Sequence, residues 1–481
     1  MKKILFIIIG GLISGFLLVT SCTKGWEEMN TDPNNPTEVP ATNLLAQSIR
    51  FIAFTHFDDW FNMNNVGSYA GHIGKIQYID ESRYDEREGV INNQWAYIYR
   101  TGTDLKNAKR FAMQNNNENL VAVIITFEAL IFQYATDTWR DIPFTNALKG
   151  ELGYTNPTYD TQETIYPALL DSLAKAGDLF ANGTLGSLGD GDILFNGDVQ
   201  KWRRFANSLR LRLANRIADV SPIGVTHLQA VLGDLAKYPI MQSNSDNAFL
   251  YWPGVAPYKE PWYEISERRD DHAIGKYLVD YLLDTNDPRI EVYAHPNTVG
   301  DYVGVVPGVA DDELGELAQY SRIGTRFRDD TYGFSPFMRY SEVLFIISEA
   351  AQKGRTTFMT ASDAYQAGVT ASFLENGLTT DDADALLATL PFSIENLFMQ
   401  KWVSLFKESH EAWAEARRTD FPVMTSAPGS NLPVHDRPPF RWPYPTNESN
   451  LNGQNLAPHI SQLVDRFWGQ KMWWDTRTSV N

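Results

Sequence analysis

Apolar residues recur every three or four positions over most of this chain, which is the spacing of one buried face of an α-helix. One such stripe runs unbroken from Leu120 to Tyr134 and consists of Leu120, Val123, Ile124, Phe127, Leu130, Ile131 and Tyr134. Similar stripes cover residues 165–176, 343–351 and 398–413. The pattern predicts a succession of amphipathic helices.

Two of the predicted helices carry start signals. Asp160 stands three residues before Glu163, which is the arrangement of a capping box. Asp198 precedes a second helix whose apolar stripe is Trp202, Phe205, Leu209 and Leu213. The arginines of this helix fall mostly outside the stripe: Arg203, Arg204, Arg210 and Arg216.

Small residues predict how some of these helices pack. The stretch "TASDAYQAGVTASF" contains Ala364, Ala367, Gly368 and Ala371, which let a neighbouring helix approach closely. Successive helix pairs with small contact residues are typical of stacked hairpins such as tetratricopeptide arrays. The sequence shows no strict repeat of about 34 residues, so this inference depends only on the small residues predicted at the helix contacts. We predict an all-α fold of tetratricopeptide-like hairpins.

Three segments lack the helical pattern, namely residues 246–264, 297–332 and 421–458. They are rich in proline, glycine, asparagine and aromatic residues. Long loops in a compact protein usually have a function. We therefore predict that the helical hairpins support an irregular, loop-rich region that binds a ligand.

One loop segment, "LYWPGVAPYKEPWYE" at 250–264, combines aromatic rings with three prolines. Prolines stiffen a loop and lower the entropy cost of binding, while flat rings offer apolar faces to the C–H groups of sugars. The predicted ligand-binding residues here are Tyr251, Trp252, Tyr258, Trp262 and Tyr263. Trp60, in "FDDWFNMNN", is a second candidate. Alternatively, the rings fix the loop to the helical scaffold or face a partner protein.

The N-terminus has the features of a lipoprotein signal. Lys2 and Lys3 precede an apolar run of roughly 16 residues, which is shorter than the roughly 20 that a spanning helix needs. Val19-Thr20-Ser21 then leads into Cys22, the only cysteine of the chain. An aliphatic residue, two small residues and a cysteine follow one another in a bacterial lipobox, and this stretch resembles one. The resemblance implies that Cys22 is lipidated and that cleavage makes it the N-terminal residue. The prediction is a membrane anchor.

Composition limits the possible partners. The formal net charge is −18, with 59 acidic and 41 basic residues. Nucleic acids are unlikely partners on this basis, because phosphate binding needs clustered lysine and arginine. Aromatic residues make up 13% of the chain. Most must belong to the core, but the excess is consistent with sugar binding. The single cysteine excludes cysteine catalysis and a cysteine-ligated zinc site in the mature chain.

Two polar motifs have simpler structural explanations. Arg417 and Arg418 follow two glutamates spaced four residues apart near a predicted helix end, which favours ion pairing over ligand anchoring. The segment "DGDILFNGD" resembles a calcium loop, but Leu194 and Lys201 occupy positions where an EF-hand needs oxygen ligands. A turn with helix capping is the better interpretation.

Catalytic signals are weak. Adjacent acidic pairs occur at Asp58-Asp59, Asp270-Asp271 and Asp329-Asp330, and glycoside hydrolysis uses two carboxylates across a cleft. In a chain with 59 acidic residues, however, such pairs are expected by chance. The eight histidines form no metal-binding motif, and neither a GxSxG elbow nor a P-loop is present. We predict no catalytic residue, no metal and no cofactor.

Taken together, several stretches resemble the SusD/RagB family of nutrient-binding outer-membrane lipoproteins of Bacteroidetes. They follow the family's order along nearly the whole chain: "NTDPNNPTEVP", "ATDTWRDIPFTNAL", "YDTQETIY", "NGDVQKWRRFANSLRLRLANRI", "DPRI", "YSEVLFIISEAAQKG", "YQAGVTASF", "QKWVSLFKESHEAWAEARRTDFP" and "RWPYPTNESNLNGQN". The resemblance implies tetratricopeptide-like hairpins, ligand capture without chemistry, and a SusC-like TonB-dependent barrel as partner.

These observations divide the chain into a signal peptide at 1–21, a lipid anchor and tether at 22–40 and a SusD-like nutrient-binding domain at 41–481. The leading hypothesis is a lipid-anchored protein at the outer surface of the outer membrane that binds an oligosaccharide or a peptide. The alternatives are a surface glycan hydrolase using paired carboxylates and a structural lid without ligand affinity.

Overall fold

The computed structural model describes residues 39–182, 186–433, 435–461, 463, 465–478 and 480. The predicted signal peptide, Cys22 and most of the predicted tether lie outside these described residues. Helices dominate the described part and the strands are short, which confirms the predicted mainly helical fold.

The α-helices of the described part are numbered in chain order. They are α1 Ala41–Thr55, α2 Gly67–Tyr69, α3 Glu88–Gln114, α4 Glu118–Trp139, α5 Gln162–Asn182, α6 Val199–Ile217, α7 Pro222–Gly233, α8 Pro261–Ser266, α9 Lys276–Asp284, α10 Ile290–Tyr293, α11 Thr325–Arg328, α12 Tyr340–Gln352, α13 Ala361–Glu375, α14 Thr380–Thr389, α15 Ile394–Ser404, α16 Ser409–Thr419, α17 Thr446–Leu451 and α18 Gly453–Ile460. A π-helical segment, Asp59–Val66, precedes α2.

Short strands form three antiparallel two-stranded sheets. The strands are β1 Ile73–Lys75, β2 Ile142–Pro143, β3 Tyr159–Asp160, β4 Ala248–Tyr251, β5 His272–Ile274 and β6 Phe334–Met338. β1 pairs with β5, β2 with β3, and β4 with β6. The predicted loop segments therefore contain small local sheets and short helices instead of being wholly irregular.

Consecutive helices pack side by side, as expected for stacked hairpins. α3 packs on α4, α4 on α5, α5 on α6 and α6 on α7, and a second set comprises α12, α13 and α14. The small residues of α13 act as predicted: a Cβ on Gly368 would lie 2.8 Å from the ring of Phe345 in α12. Only a residue without a side chain allows these two helices to approach so closely.

The helix α4 lies at the centre of the first set. It is apolar and long enough to cross a membrane, but 89% of its most apolar window is buried inside the protein. Its buried residues lie on all sides of the helix and include the whole predicted stripe from Leu120 to Tyr134. A helix that is apolar all round fits a buried core position.

The two predicted helix starts have different outcomes. Asp198 caps α6 as predicted, and its carboxylate accepts hydrogen bonds from two N–H groups in the first turn. Asp160 does not cap α5, which begins at Gln162. Asp160 belongs to β3, and its carboxylate accepts the N–H groups of Phe144 and Thr145 at 3.1 and 2.7 Å. The capping-box prediction is wrong because this carboxylate holds the preceding loop.

A buried ion network joins α6 to α12 and to the start of α16. The Arg212 side chain, on α6, donates to Glu342 at 2.7 Å and to Glu408 at 2.6 Å. One turn further along α6, Arg216 lies 2.9 Å from a carboxylate oxygen of Glu415. None of these side chains is more than 5% exposed. The network therefore lies entirely within the core.

The same network includes Arg418, near the end of α16. Arg418 donates to Glu349 through both terminal nitrogens, at 2.7 and 2.6 Å, and also to Glu415 at 2.8 Å. Lys401 contacts Glu415 at 3.0 Å. Burial alone would raise the pKa of Glu349, but the charge and hydrogen bonds of Arg418, together with the charge of Lys353, outweigh it and lower that pKa. The ion pairing predicted for Arg417 and Arg418 is confirmed for Arg418 only, because Arg417 instead donates to the backbone carbonyls of Asp137 and Phe440.

Two arginines of α6 are buried although they fall outside its apolar stripe. Arg210 and Arg216 are 5% and 2% exposed and do not lie away from the core. Helical periodicity identified the apolar stripe, but α6 is also covered on its other faces by α5, α7 and α12. Arginine is tolerated in such a position only when carboxylates or carbonyl groups satisfy its charge and N–H groups.

Replacement of Arg212 by methionine tests the importance of this network. The change would leave Glu342 and Glu408 buried without their shared cation, and we expect the free energy of unfolding to fall by about 3–5 kcal/mol. Urea denaturation followed by circular dichroism measures the difference. Lys276→Met is a matched control because Lys276 pairs with Asp280 on the surface, with both side chains about half exposed. Its cost should stay within about 1 kcal/mol. Equal losses in the two variants would contradict the assignment.

Candidate functional site

The predicted ligand-binding segment forms a loop between β4 and α8, here called the aromatic loop (residues 251–260). Its ends are fixed to a neighbouring turn. The Trp252 N–H donates to the Gly333 carbonyl at 3.0 Å, and the Glu260 N–H donates to the Thr331 carbonyl at 3.3 Å. The loop and the turn before β6 therefore form one connected unit on the β4–β6 sheet.

A buried ion pair fixes this unit to the core of the protein. Glu260 and Lys407 lie 2.9 Å apart, and neither side chain is exposed. Glu260 also accepts the Tyr263 N–H at 2.8 Å, which caps α8, while Lys407 donates to the Phe327 carbonyl at 3.1 Å. Burial lowers the pKa of Lys407, and the nearby Glu260 charge opposes that shift. Both charges are thus held by several fixed partners.

The two tryptophans of the segment are buried. Trp252 is 3% exposed, and its indole N–H donates to the Ser335 hydroxyl at 3.0 Å. Trp262 is fully buried, edge-on to Phe406, with Lys407 Nζ 4.9 Å from its ring. Neither ring presents a face to a ligand in this structure, so the prediction of sugar stacking on these two rings is corrected. They anchor the loop to the core, as the structural alternative expected.

Other rings around the same loop are exposed. Tyr251 is 64% exposed and Tyr258 is 39% exposed, whereas Tyr263 is only partly exposed. The structure adds two rings that the sequence analysis missed, Tyr332 at 59% and Phe54 at 38%. We call Phe54, Tyr251, Tyr258 and Tyr332 the aromatic rim. Phe54 could have been identified as an apolar residue outside the buried stripe of α1.

Contacts around the aromatic loop connect Phe54 and Tyr332 to it. Tyr251, at the start of the loop, packs against Phe334 of β6 with ring centroids 6.0 Å apart. The ring of Tyr332 lies against Gly254, where an added Cβ would come within 2.6 Å of a ring carbon. The Gly254 N–H donates to the Tyr258 carbonyl at 3.1 Å. Phe54 packs edge-on against Trp252, with ring centroids 6.1 Å apart. Gly254 has a φ of +74°, a conformation that suits glycine. The rim is thus assembled from α1, the loop and the turn before β6.

Trp60, the second candidate, lies in the π-helical segment and is 39% exposed. Its ring lies 5.6 Å from the Arg87 guanidinium group. The adjacent Asp58 accepts the Phe61 N–H at 2.7 Å and fixes the start of this segment. Burial raises the pKa of Asp58 well above its usual value. Trp60 is therefore accessible, but the ring contact that it makes is with Arg87.

A polar cleft of about 280 Å³ adjoins the aromatic loop. Two ion pairs line it, Lys259 with Glu267 at 2.6 Å and Arg268 with Glu264 at 3.3 Å. Its remaining lining comes from Ala256 and Pro257. Apolar rings beside polar side chains suit a ligand with both C–H faces and hydroxyl groups.

The acidic pair Asp270-Asp271 contacts arginine side chains. Asp270 is bound by Arg322 and Arg328, both at 2.8 Å, and Asp271 by Arg269 at 2.5 Å. Both carboxylates are therefore paired with arginines. Within the described residues, no group of three or more metal-binding side chains is assembled.

The segment that resembles a calcium loop is a turn. The Asp192 carboxylate accepts backbone N–H groups of Leu194, Phe195 and Gly197, at 2.8 to 3.1 Å. Asp198 caps α6 as described above. The carboxylates of Asp192 and Asp198 thus accept backbone N–H groups, which confirms the interpretation as a turn with helix capping.

The variant Trp262→Ala distinguishes an anchoring ring from a ligand-binding ring. Removing a fully buried tryptophan leaves a cavity and uncovers the ion pair beneath it, and we expect the free energy of unfolding to fall by about 3–5 kcal/mol. Tyr251→Ala is the control within the same loop, because that ring is 64% exposed and its loss should cost about 0.5 kcal/mol. Thermal or urea unfolding compares the two. A stable Trp262→Ala protein would refute the anchoring role.

Comparison with known proteins gives a consistent result. The sequence model of a SusD-like family, described as "Starch-binding associating with outer membrane", matches residues 33–445. A search of curated protein sequences gave no match.

Solved structures share the fold. A SusD-like protein from Bacteroides thetaiotaomicron is 24% identical, covers 91% of this chain and 99% of its own, and has a TM-score of 0.78. A SusD homologue from Bacteroides uniformis is 22% identical, with 91% and 99% coverage and a TM-score of 0.79. A chitin-binding SusD homologue from Flavobacterium johnsoniae is 22% identical, with 91% and 98% coverage and a TM-score of 0.78. Because the family match spans most of the chain and the fold agrees over nine-tenths of it, this protein belongs to the SusD-like family of starch-binding proteins associated with the outer membrane.

Proposed function

We propose that this protein binds an oligosaccharide at the aromatic rim and delivers it to a SusC-like TonB-dependent barrel without breaking a bond. The observation that carries the proposal is the group of four exposed rings around a loop whose base is fixed by buried tryptophans and the Glu260–Lys407 pair. Exposed rings grouped on one surface often mark an interaction site, in contrast to single scattered apolar residues.

The physical properties of the rim suit sugar binding. Each ring offers an apolar face for sugar C–H groups, and the tyrosine hydroxyls provide hydrogen bonds. Because the loop is held at both ends, little conformational entropy is lost when the ligand binds. The adjoining polar cleft supplies charged side chains within reach of ligand hydroxyls. The family description and the chitin-binding homologue support a glycan as the ligand class.

We also propose that the protein is anchored by lipid at Cys22 and faces the outside of the cell. The support is the lipobox before Cys22 and the association of the family with the outer membrane. A tether of polar residues and prolines between Cys22 and α1 would separate the domain from the lipid. A barrel partner in the same membrane would then receive the ligand directly.

Isothermal titration calorimetry with a panel of oligosaccharides, including maltohexaose and chitohexaose, tests the ligand site. We expect Tyr251→Ala and Tyr258→Ala each to weaken binding roughly fivefold, because a lost stacking contact costs about 1 kcal/mol. Tyr154→Ala is the control, since Tyr154 is an exposed tyrosine (47%) in another loop. Affinity unchanged in both rim variants would remove the rim from the site. Binding of peptides alone would change the ligand class, and product formation from any glycan would support the hydrolase alternative.

Metabolic labelling with an alkyne fatty acid tests the anchor. The wild-type protein should incorporate the label and fractionate with the outer membrane, whereas Cys22→Ser should do neither, because the thiol that accepts lipid is absent. Exposure to an added protease on intact cells reports the side of the membrane. A Cys22→Ser protein that is exported and still membrane-bound would contradict the proposed anchor.

A further inference from the structure

An arginine on α1 contacts the aromatic rim without an ion-pair partner. The Arg50 guanidinium carbon lies 4.5 Å from the centre of the Tyr258 ring. Within the described part of the chain, no carboxylate lies within 4 Å of this guanidinium group, and it makes no hydrogen bond. Arg50 is partly exposed. Its N–H donors are therefore available at the edge of the rim.

The neighbouring cations are paired. Lys259 is bound by Glu267 and Arg268 by Glu264, and Arg326 lies 3.8 Å from Glu375. Acidic residues outnumber basic residues by 59 to 41 in this chain, so carboxylates are plentiful. An unpaired arginine beside the proposed binding surface therefore needs its own explanation.

We propose that Arg50 and Tyr258 form a subsite for an acidic sugar, with the guanidinium group binding a carboxylate or sulfate of the glycan. This inference rests on the proposed function, which it makes more specific. The planar guanidinium group can donate two parallel hydrogen bonds to such an anion. The exposed part of the Tyr258 ring would contact the C–H face of the same sugar.

The net charge of −18 is compatible with this subsite. Charges separated by more than about 8 Å are largely screened at physiological ionic strength, so a short ligand responds mainly to its direct contacts. One acidic group does lie on the rim, Asp330, whose carboxylate accepts the Tyr332 N–H at 2.9 Å. The overall charge would repel long polyanions and leave selectivity to Arg50, the neighbouring cations Lys259 and Arg268 being paired with glutamates.

Calorimetry with matched hexasaccharides tests the subsite. The neutral ligands are maltohexaose and chitohexaose, and the acidic ligands are hexagalacturonate and chondroitin hexasaccharides with and without sulfate. We expect at least one acidic ligand to bind about fivefold or more tightly than the neutral ones, with an advantage that decreases as salt is added. Comparison of the sulfated and unsulfated chondroitin ligands distinguishes sulfate from carboxylate recognition.

The decisive variant is Arg50→Gln, which should lower the affinity for the acidic ligand about fivefold more than it changes the affinity for the neutral ligands. Arg110→Gln is the matched control, because Arg110 also stacks on a ring at 4.5 Å, on Phe111, and has no ion-pair partner within the described residues. It makes the same change in net charge and should have no effect. Arg50→Lys keeps the charge without the planar group and should retain an intermediate affinity.

The outcomes distinguish a failure of the acidic subsite from a failure of the proposed function. Equal affinity for neutral and acidic ligands, or equal effects of Arg50→Gln and Arg110→Gln, would overturn the acidic subsite and leave the proposed function intact. Absence of binding to every glycan would overturn the proposed function and this inference together. Circular dichroism confirms that each variant is folded. If Arg50→Gln does not fold, the wild-type comparison and Arg50→Lys still provide the answer.

Discussion

The buried pairing of Arg212 with Glu342 and Glu408 is the interaction on which the rest of this structure depends. It links α6 of the first helical set to α12 of the second set and to the start of α16. Lys407, the residue immediately before Glu408, pairs with Glu260 beneath the aromatic loop. Two consecutive residues, 407 and 408, thus connect the helical scaffold to the loop that carries the candidate site.

The role of this network is geometric more than energetic. Moving charges out of water costs several kcal/mol per ion, and mutual attraction offsets that cost only when the geometry is favourable. Apolar side chains could fill the same space with similar stability. They would not fix the angle between helices as hydrogen-bonded guanidinium and carboxylate groups do. A site built from a helix, a loop and a turn that are far apart in the chain benefits from such a fixed frame.

The aromatic residues divide into two structural roles around the loop. Trp252 and Trp262 have the largest apolar area and are buried, where each contributes packing that holds the loop. Tyr251 and Tyr258 remain exposed, since a phenol hydroxyl is readily solvated and the ring edge is not needed for packing. The rigid base and the accessible rim are therefore encoded in one short segment. The same division explains why the high aromatic content gave only a weak indication of function.

The sequence by itself determined the helices, because a 3.6-residue apolar stripe and a capping carboxylate such as Asp198 are local features. Its motifs also identified the family and the loop segment that we propose as the binding site. Only the tertiary structure decided which residues of that segment face solvent, why Arg210 and Arg216 are buried, and where Asp160 directs its carboxylate. These outcomes depend on partners far away in the chain: Lys407 lies under Trp262, and Tyr332 lies beside Gly254. Periodicity reports one buried face of an element, whereas the remaining faces are set by whichever elements the fold places against them.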